Sequence, residues 1–262
     1  MRVFAGPNGS GKTSVIKSIL NTEVQAGKKL DFGIYINADD IATTLRNGKF
    51  NFKDYGIHFS MEDFLDTVNK SGLISPDFSE KEFLDSLVIN GNYLSINWAY
   101  SSSKSETAVE RIAQILADFL RKKLIALGVK FSFETVFSHH GKVEIIKHAK
   151  ELGYKVYLYF VSTEHPDINV FRVKNVRVPQ KGHDVPEDKI RSRYFRSMDL
   201  LYEAAQHCYQ CYFFDNSKEG QGQTLFAHFK MNSKGEKEWE ITDIKQVPNW
   251  FKHYYSAKIS AE

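Results

Sequence analysis

The sequence predicts an α/β fold, a parallel sheet flanked by helices, on three observations. Short apolar runs alternate with stretches of helical periodicity along most of the chain. The runs are dense in Phe, Tyr, Val and Ile rather than cleanly alternating, as expected for strands covered on both faces. A glycine-rich loop, Gly6-Pro7-Asn8-Gly9-Ser10-Gly11-Lys12-Thr13, follows the first run directly and opens the first helix. That loop narrows the class to a phosphate-loop (P-loop) NTPase, without separating a kinase from an ATPase or a GTPase.

The elements follow in order. Strands are expected at Arg2–Ala5, Gly33–Ala38, Lys130–Phe137, Lys155–Val161 and Cys211–Asn216. Val15, Ile16, Ile19 and Leu20 recur at helical spacing after the loop. Thr107–Ala126 carries Val109, Ile112, Leu116, Phe119 and Leu120 on one side, with Gly128 to stop it. Gly141–Leu152 ends at Gly153, and Pro186–His207 starts with proline in its first turn. Residues 50–106 separate the second and third strands by more than an ordinary connection. Their helical patches, Met61–Val68 and Glu80–Leu87, predict a helical insertion with a flexible turn at Ser101–Ser103. From about Gly222 the pattern changes: Leu225, Ala227, Phe229 and Met231 alternate, Asn232–Gly235 reads as a turn, and Trp239 and Ile241 resume. This predicts a C-terminal β-hairpin. The expected organisation is a P-loop domain over residues 1–221 and a hairpin appendage over 222–262.

Composition removes several classes. At 262 residues with 42% hydrophobic and 26% charged, the chain can bury a sizeable core and is not dominated by disorder. Its apolar runs are too short to span a membrane. Two cysteines exclude a disulfide framework and fit a reducing, cytoplasmic setting. The net charge of +3 permits an anionic ligand and argues against nucleic acid as the partner. The glycine loop at residue 6 leaves no room for a signal peptide ahead of it. The first strand is short enough to expect further chain upstream.

The loop is a full G-x-x-x-x-G-K-[ST] match. Phosphate binding needs backbone N–H groups that all point inward, and glycine permits both the torsions and the close approach. The helix that begins near Lys12 adds its positive end. Lys12 is expected to reach the β- and γ-phosphates of ATP and the Thr13 hydroxyl to hold Mg²⁺, with Gly6 to Ser14 as the nucleotide-binding segment. No Asn/Thr-Lys-x-Asp segment for guanine reading is present.

Ligands of open α/β sheets bind beyond the carboxyl ends of the strands. The second strand ends in Ile36-Asn37-Ala38-Asp39-Asp40 and the third in Phe133-Glu134-Thr135, so both deliver acids there. An acid in that place can accept a hydroxyl proton or hold the water shell of a metal; Asp39 can equally serve as a helix N-cap. The stretch Arg172 to Arg196 holds Arg172, Arg177, Arg191, Arg193 and Arg196 with Gly182-His183 between them. It reads either as a lid that clamps a transferring phosphoryl group or as a solvated basic helix face.

With these residues quoted, the chain resembles the zeta-toxin family of P-loop kinases, in its stand-alone chromosomal form. Ala5–Ser14, Ile36–Asp40, Phe133–Ser138, Gly153–Ser162, Arg172–Pro186 and Arg191–Arg196 carry the resemblance. It implies ATP-dependent phosphorylation of a hydroxyl on a small acceptor, with Mg²⁺. The family's best-known toxins act on UDP-N-acetylglucosamine. It further implies Asp39 as base, Lys12 on the phosphates, Arg172 and Arg177 in the lid, and acceptor contacts from Asp40, Glu134, Thr135 and His183. An antitoxin-like protein partner also follows from it. The chain departs from the toxins in Asn-Ala-Asp-Asp at the second strand end, in the insertion and in the tail. Two alternatives stay open: an ATP-hydrolysing binding or switch protein, and a polynucleotide kinase. Cys208 and Cys211 with His207 are read as structural, and the adjacent pair His139-His140 cannot both face one site from regular structure. Trp250, Phe251 and Tyr254 of the aromatic tail Pro248–Lys258 are expected to pack the appendage onto the body.

Overall fold

The computed structural model describes all residues except 26, 77, 101–104, 178, 180–183 and 260–262, so the serine run and His183 lie outside the described residues. The chain divides into two compact units, Met1–Phe32 with Ser132–Glu262, and Gly33–Phe131.

In the first unit the strands β1 (Arg2–Ala5), β2 (Phe131–Thr135), β3 (Tyr157–Ser162), β4 (Gln210–Asp215), β5 (Thr224–Met231) and β6 (Lys237–Ile241) lie in the order β6-β5-β4-β3-β1-β2. β1 runs parallel between β2 and β3, with Val3 opposite Phe133 and Leu158, and β4 runs parallel to β3. Val3, Phe4 and Ala5 are fully buried, which is why the run does not alternate. The helices are α1 (Lys12–Leu20), α2 (Gly141–Glu151), α3 (Pro166–Arg172), α4 (Glu187–Asp199) and α5 (Leu201–Gln206). The mixed α/β architecture, mostly parallel and flanked by helices, is the one predicted.

Three details differ from expectation. The stretch Pro186–His207 is two helices, because the ladder breaks at Leu200 while that residue stays in the α region (φ −82, ψ −11), so the apolar period continues across the break. The hairpin is present, but β5 pairs antiparallel with β4 and so extends the main sheet. Phe213 of β4 stacks on Trp239 of β6 and meets Phe251 and Tyr255 of the tail, so an aromatic core holds residues 222–259 to the unit. Trp250 and Phe251 are buried as expected, and Tyr255 rather than Tyr254 completes the set.

The insertion is not purely helical. In the second unit, Lys49–Asn51, Leu87–Asn90 and Tyr93–Ile96 form an antiparallel sheet beside helices Ala38–Asn47, Met61–Lys70, Glu80–Asp85 and Ser105–Ala126. The strands are three or four residues long, too short to print a period of two. Phe119 of the long helix is the hub of an aromatic cluster with Phe52, Phe59 and Phe64. No helix among the described residues is long and apolar enough to cross a membrane.

Candidate active site

The site grows from the carboxyl end of β1. The chain turns at Gly6 with φ +142, and a Cβ there would lie 2.0 Å from the Val161 carbonyl oxygen of β3. Only glycine lets the loop start this close to its neighbour strand. Gly11 closes the loop with φ +96 as the residue before α1, where a Cβ would fall 2.3 Å from Asn216 Nδ2. Gly6→Ala is therefore expected to cost about 1–3 kcal/mol from torsion and clash together, read as a fall in thermal midpoint. An unchanged midpoint would mean that the loop follows another path.

Two asparagines from distant elements hold the loop from outside. Asn169 Nδ2 of α3 donates to Asn8 O at 2.6 Å, and its Oδ1 accepts from Thr163 Oγ1. Asn216 Nδ2, just past β4, donates to Ser10 O at 2.8 Å. Neither was singled out from the sequence; position beyond a strand end is the one signal that could have raised Asn216. Lys12 is 7% exposed and its Nζ donates to Pro7 O at 2.8 Å, folding the ammonium back over the loop. No side chain caps α1 and no acid of its own stands in its first turn, so its positive end faces the loop. Asn8 Oδ1 and Ser10 Oγ are buried without a hydrogen-bond partner among the described residues.

Acids and arginines of the first unit converge here in part. Glu134 and Thr135 lie opposite Phe4 and Ala5 on β1. Thr13 Oγ1 stands 3.4 Å from both carboxylate oxygens of Glu134. Thr135 Oγ1 accepts from Phe137 N at 3.4 Å, and Phe137 holds φ +62, unusual for a side chain of that size. Arg172, in the last turn of α3, donates from Nη1 to Asn216 O at 2.7 Å and so abuts the loop through that residue. Partial burial draws its pKa down, while Glu219 and Asp215 oppose the shift. Thr13, beside Lys12, and Glu134 are thus brought together, Thr135 is level with Ala5 ahead of the loop, and Arg172 reaches the loop through Asn216.

Arg177 ends a π-helical turn, Val173–Arg177, and its side chain is outside the described residues. Arg191 is spent on Asp167 and Glu187, at 2.5 and 2.8 Å. Arg193 differs: burial and then the Arg196 charge lower its pKa, and no carboxylate pairs with it among the described residues. Asp39 and Asp40 belong to the second unit, on the first turn of helix Ala38–Asn47. The cap there is Asn37, whose Oδ1 accepts from Asp39 N at 2.9 Å, so Asp39 is not the capping residue. Burial and the neighbouring Asp39 raise the Asp40 carboxyl above its ordinary value. Cys208 and Cys211 are free thiols, both buried, and burial pushes Cys211 up.

A glycine loop at the end of a central parallel strand, with lysine and threonine opening the next helix, defines an α/β protein with a P-loop. The chain is similar in fold to the solved complex AvrRxo1-ORF1:AvrRxo1-ORF2 with sulphate ions, with a TM-score of 0.52 and 13% identity over 93% of this chain and 61% of that one. The same complex with ATP gives 0.51 and 13% over 93% and 60%. The chain thus spans about three fifths of these structures, and at such identity the likeness concerns the fold alone. The fold is the one implied by the zeta-toxin resemblance. A Haemophilus influenzae protein, described only as uncharacterised, is 33% identical over 66 residues, 25% of this chain and 46% of that protein. No family model matches.

Proposed function

We propose that the chain is an ATP-dependent kinase that transfers a γ-phosphoryl group to a hydroxyl of a small acceptor. The loop carries this reading: two glycines at positive φ that let it pass close against β3 and Asn216, a buried lysine and an uncapped helix end fit a polyphosphate. The two buried, unpartnered oxygens of Asn8 and Ser10 also fit a polar ligand. Gly6, Pro7, Asn8, Gly9, Ser10, Gly11 and Ser14 line the loop, and Lys12 neutralises charge on the phosphates. The oxygen donors of Thr13 and Glu134 fit a hard cation, so these residues would hold Mg²⁺. When bound, Mg²⁺ supplies charge neutralisation on the transferring group. Asp39 acts as base on the acceptor hydroxyl, and Asp40, Glu134, Thr135 and His183 contact the acceptor. A sugar nucleotide is the acceptor that the zeta-toxin resemblance favours, with an antitoxin-like protein as partner and the cytoplasm as location.

Arg172 and Arg177 clamp the γ-phosphate in this reading. Replacing either by alanine is expected to lower turnover more than ATP affinity, since such a contact tightens in the transition state. Comparing kcat with ATP and ADP dissociation constants checks this; an equal loss in ADP binding would assign Arg172 to holding Asn216 instead.

A second reading, an ATP-driven switch that acts on a protein partner, draws on the second unit, where Val88 and Tyr93 are each 49% exposed and Trp98 48%. One experiment separates the two: ATP consumption measured with and without a panel of sugar nucleotides and hydroxylated metabolites, with phosphorus NMR of the products. A phosphorylated acceptor supports the kinase. Acceptor-independent release of inorganic phosphate supports the switch.

A further inference from the structure

The C-terminal segment stands more than two hundred residues from the glycine loop in sequence, yet hydrogen bonds connect the two within the first unit. The indole Nε1–H of Trp250 donates to Asp215 Oδ1 at 2.9 Å. Asp215 also accepts from Ser217, from Oγ at 2.6 Å and from N at 3.2 Å. Ser217 Oγ in turn accepts from Glu164 N at 2.8 Å, and Glu164 Oε1 accepts from Asn249 N at 3.1 Å. Asn249 and Trp250 are consecutive, so the bonds close into a ring that ties the ends of β3 and β4 to the tail.

Asn216 sits inside this ring, between Asp215 and Ser217. Its N–H donates to Ser162 O at 2.8 Å, its carbonyl accepts from Arg172, and its side chain holds Ser10 O. The ring thus sets the backbone that carries the contact between Asn216 and the phosphate loop. Trp250 is buried, packed between Phe160 and Phe226, which fixes the direction of its N–H. A hydrogen bond to an ionised carboxylate is stronger than a neutral one and loses most when its donor is removed.

We propose that Trp250 is a positioning residue for the phosphate loop, acting through Asp215 and Asn216, so that the C-terminal segment is a working part of the nucleotide site. The ATP-affinity arm of the test rests on the kinase reading above. The loop-dynamics arm does not.

Trp250→Phe keeps an aromatic ring in the core and removes the donor together with part of the ring. It is expected to weaken ATP binding about tenfold, on the scale of one charged hydrogen bond, with a fall in thermal midpoint comparable to that of the packing control below. Phe251→Leu, a packing change one residue on, is expected to lower the midpoint and leave ATP affinity unchanged. In an Asn216→Ala background, Trp250→Phe is expected to add no further loss, because both changes act on one contact. Hydrogen exchange of amides 6–14, without nucleotide, is expected to quicken about tenfold in Trp250→Phe and not in Phe251→Leu. Unchanged exchange in Trp250→Phe, or additive losses in the double variant, would overturn the proposal. If the wild-type chain bound no ATP while the exchange difference held, the positioning role would stand and the kinase reading would fall.

Discussion

Lys12→Ala is expected to abolish productive ATP binding, the largest effect of any single substitution in this chain. The ammonium is buried at the opening of α1 and folds back onto Pro7 O. A preorganised cation in such a water-poor place contributes several kcal/mol, on the order of 3, to holding charge on a transferring phosphoryl group. Its removal also leaves the Pro7 carbonyl without that donor, so a second variant, Lys12→Met, keeps the apolar stem and separates lost packing from loss of the ammonium as charge and donor. Calorimetric titration with ATP and a turnover assay read the outcome, with circular dichroism to confirm folding. Unchanged affinity and unchanged turnover in both variants would remove the P-loop assignment.

The second large effect is expected at Asp39. A general base contributes about 10²–10⁴-fold in rate, and Asp39→Asn removes proton acceptance while keeping size. Because Asn37 caps the helix, this substitution leaves the cap in place. The variant is expected to fold, to bind ATP nearly as well, and to lose phosphoryl transfer. Asp40→Asn is the control. Burial and then the Asp39 charge raise the Asp40 carboxyl above 3.8, so the folded state holds its proton to higher pH than the unfolded chain does. Ionisation of Asp40 therefore opposes folding as pH rises through and above that window. Asp40→Asn is expected to raise stability at neutral pH, with the difference vanishing below about pH 3.8, and, as an acceptor contact and not the base, to raise the acceptor KM while leaving most of kcat. Loss of transfer in Asp40→Asn with normal transfer in Asp39→Asn would exchange their roles. If neither changed turnover while ATP was still hydrolysed, the switch reading would replace the kinase.

Much of the site was legible because its parts are contiguous. The loop occupies eight consecutive residues whose glycines, lysine and threonine each meet a local requirement, and the strand ahead of it is a plain apolar run. Glu134 was legible for a related reason: a strand end in a parallel sheet is a predictable place. Arg172 was legible as a basic residue in the right stretch, but not its attachment to Asn216. The short strands at Lys49–Asn51 and Leu87–Ile96 were missed because three or four residues cannot display alternation against a helical background. The break at Leu200 was missed because no glycine or proline marks it.

By itself the sequence determined the α/β class, the phosphate loop and the hairpin, each of which depends on torsion, spacing or period within a few neighbouring residues. Only the tertiary structure decided what holds the loop: Asn169 on Asn8, Asn216 on Ser10, Arg172 on Asn216, and the ring through Trp250. The physical reason is that these bonds meet backbone carbonyls and carboxylates that the sheet leaves open at the ends of its strands. Which carbonyl is left open depends on register and strand order, and no single stretch of the chain encodes either.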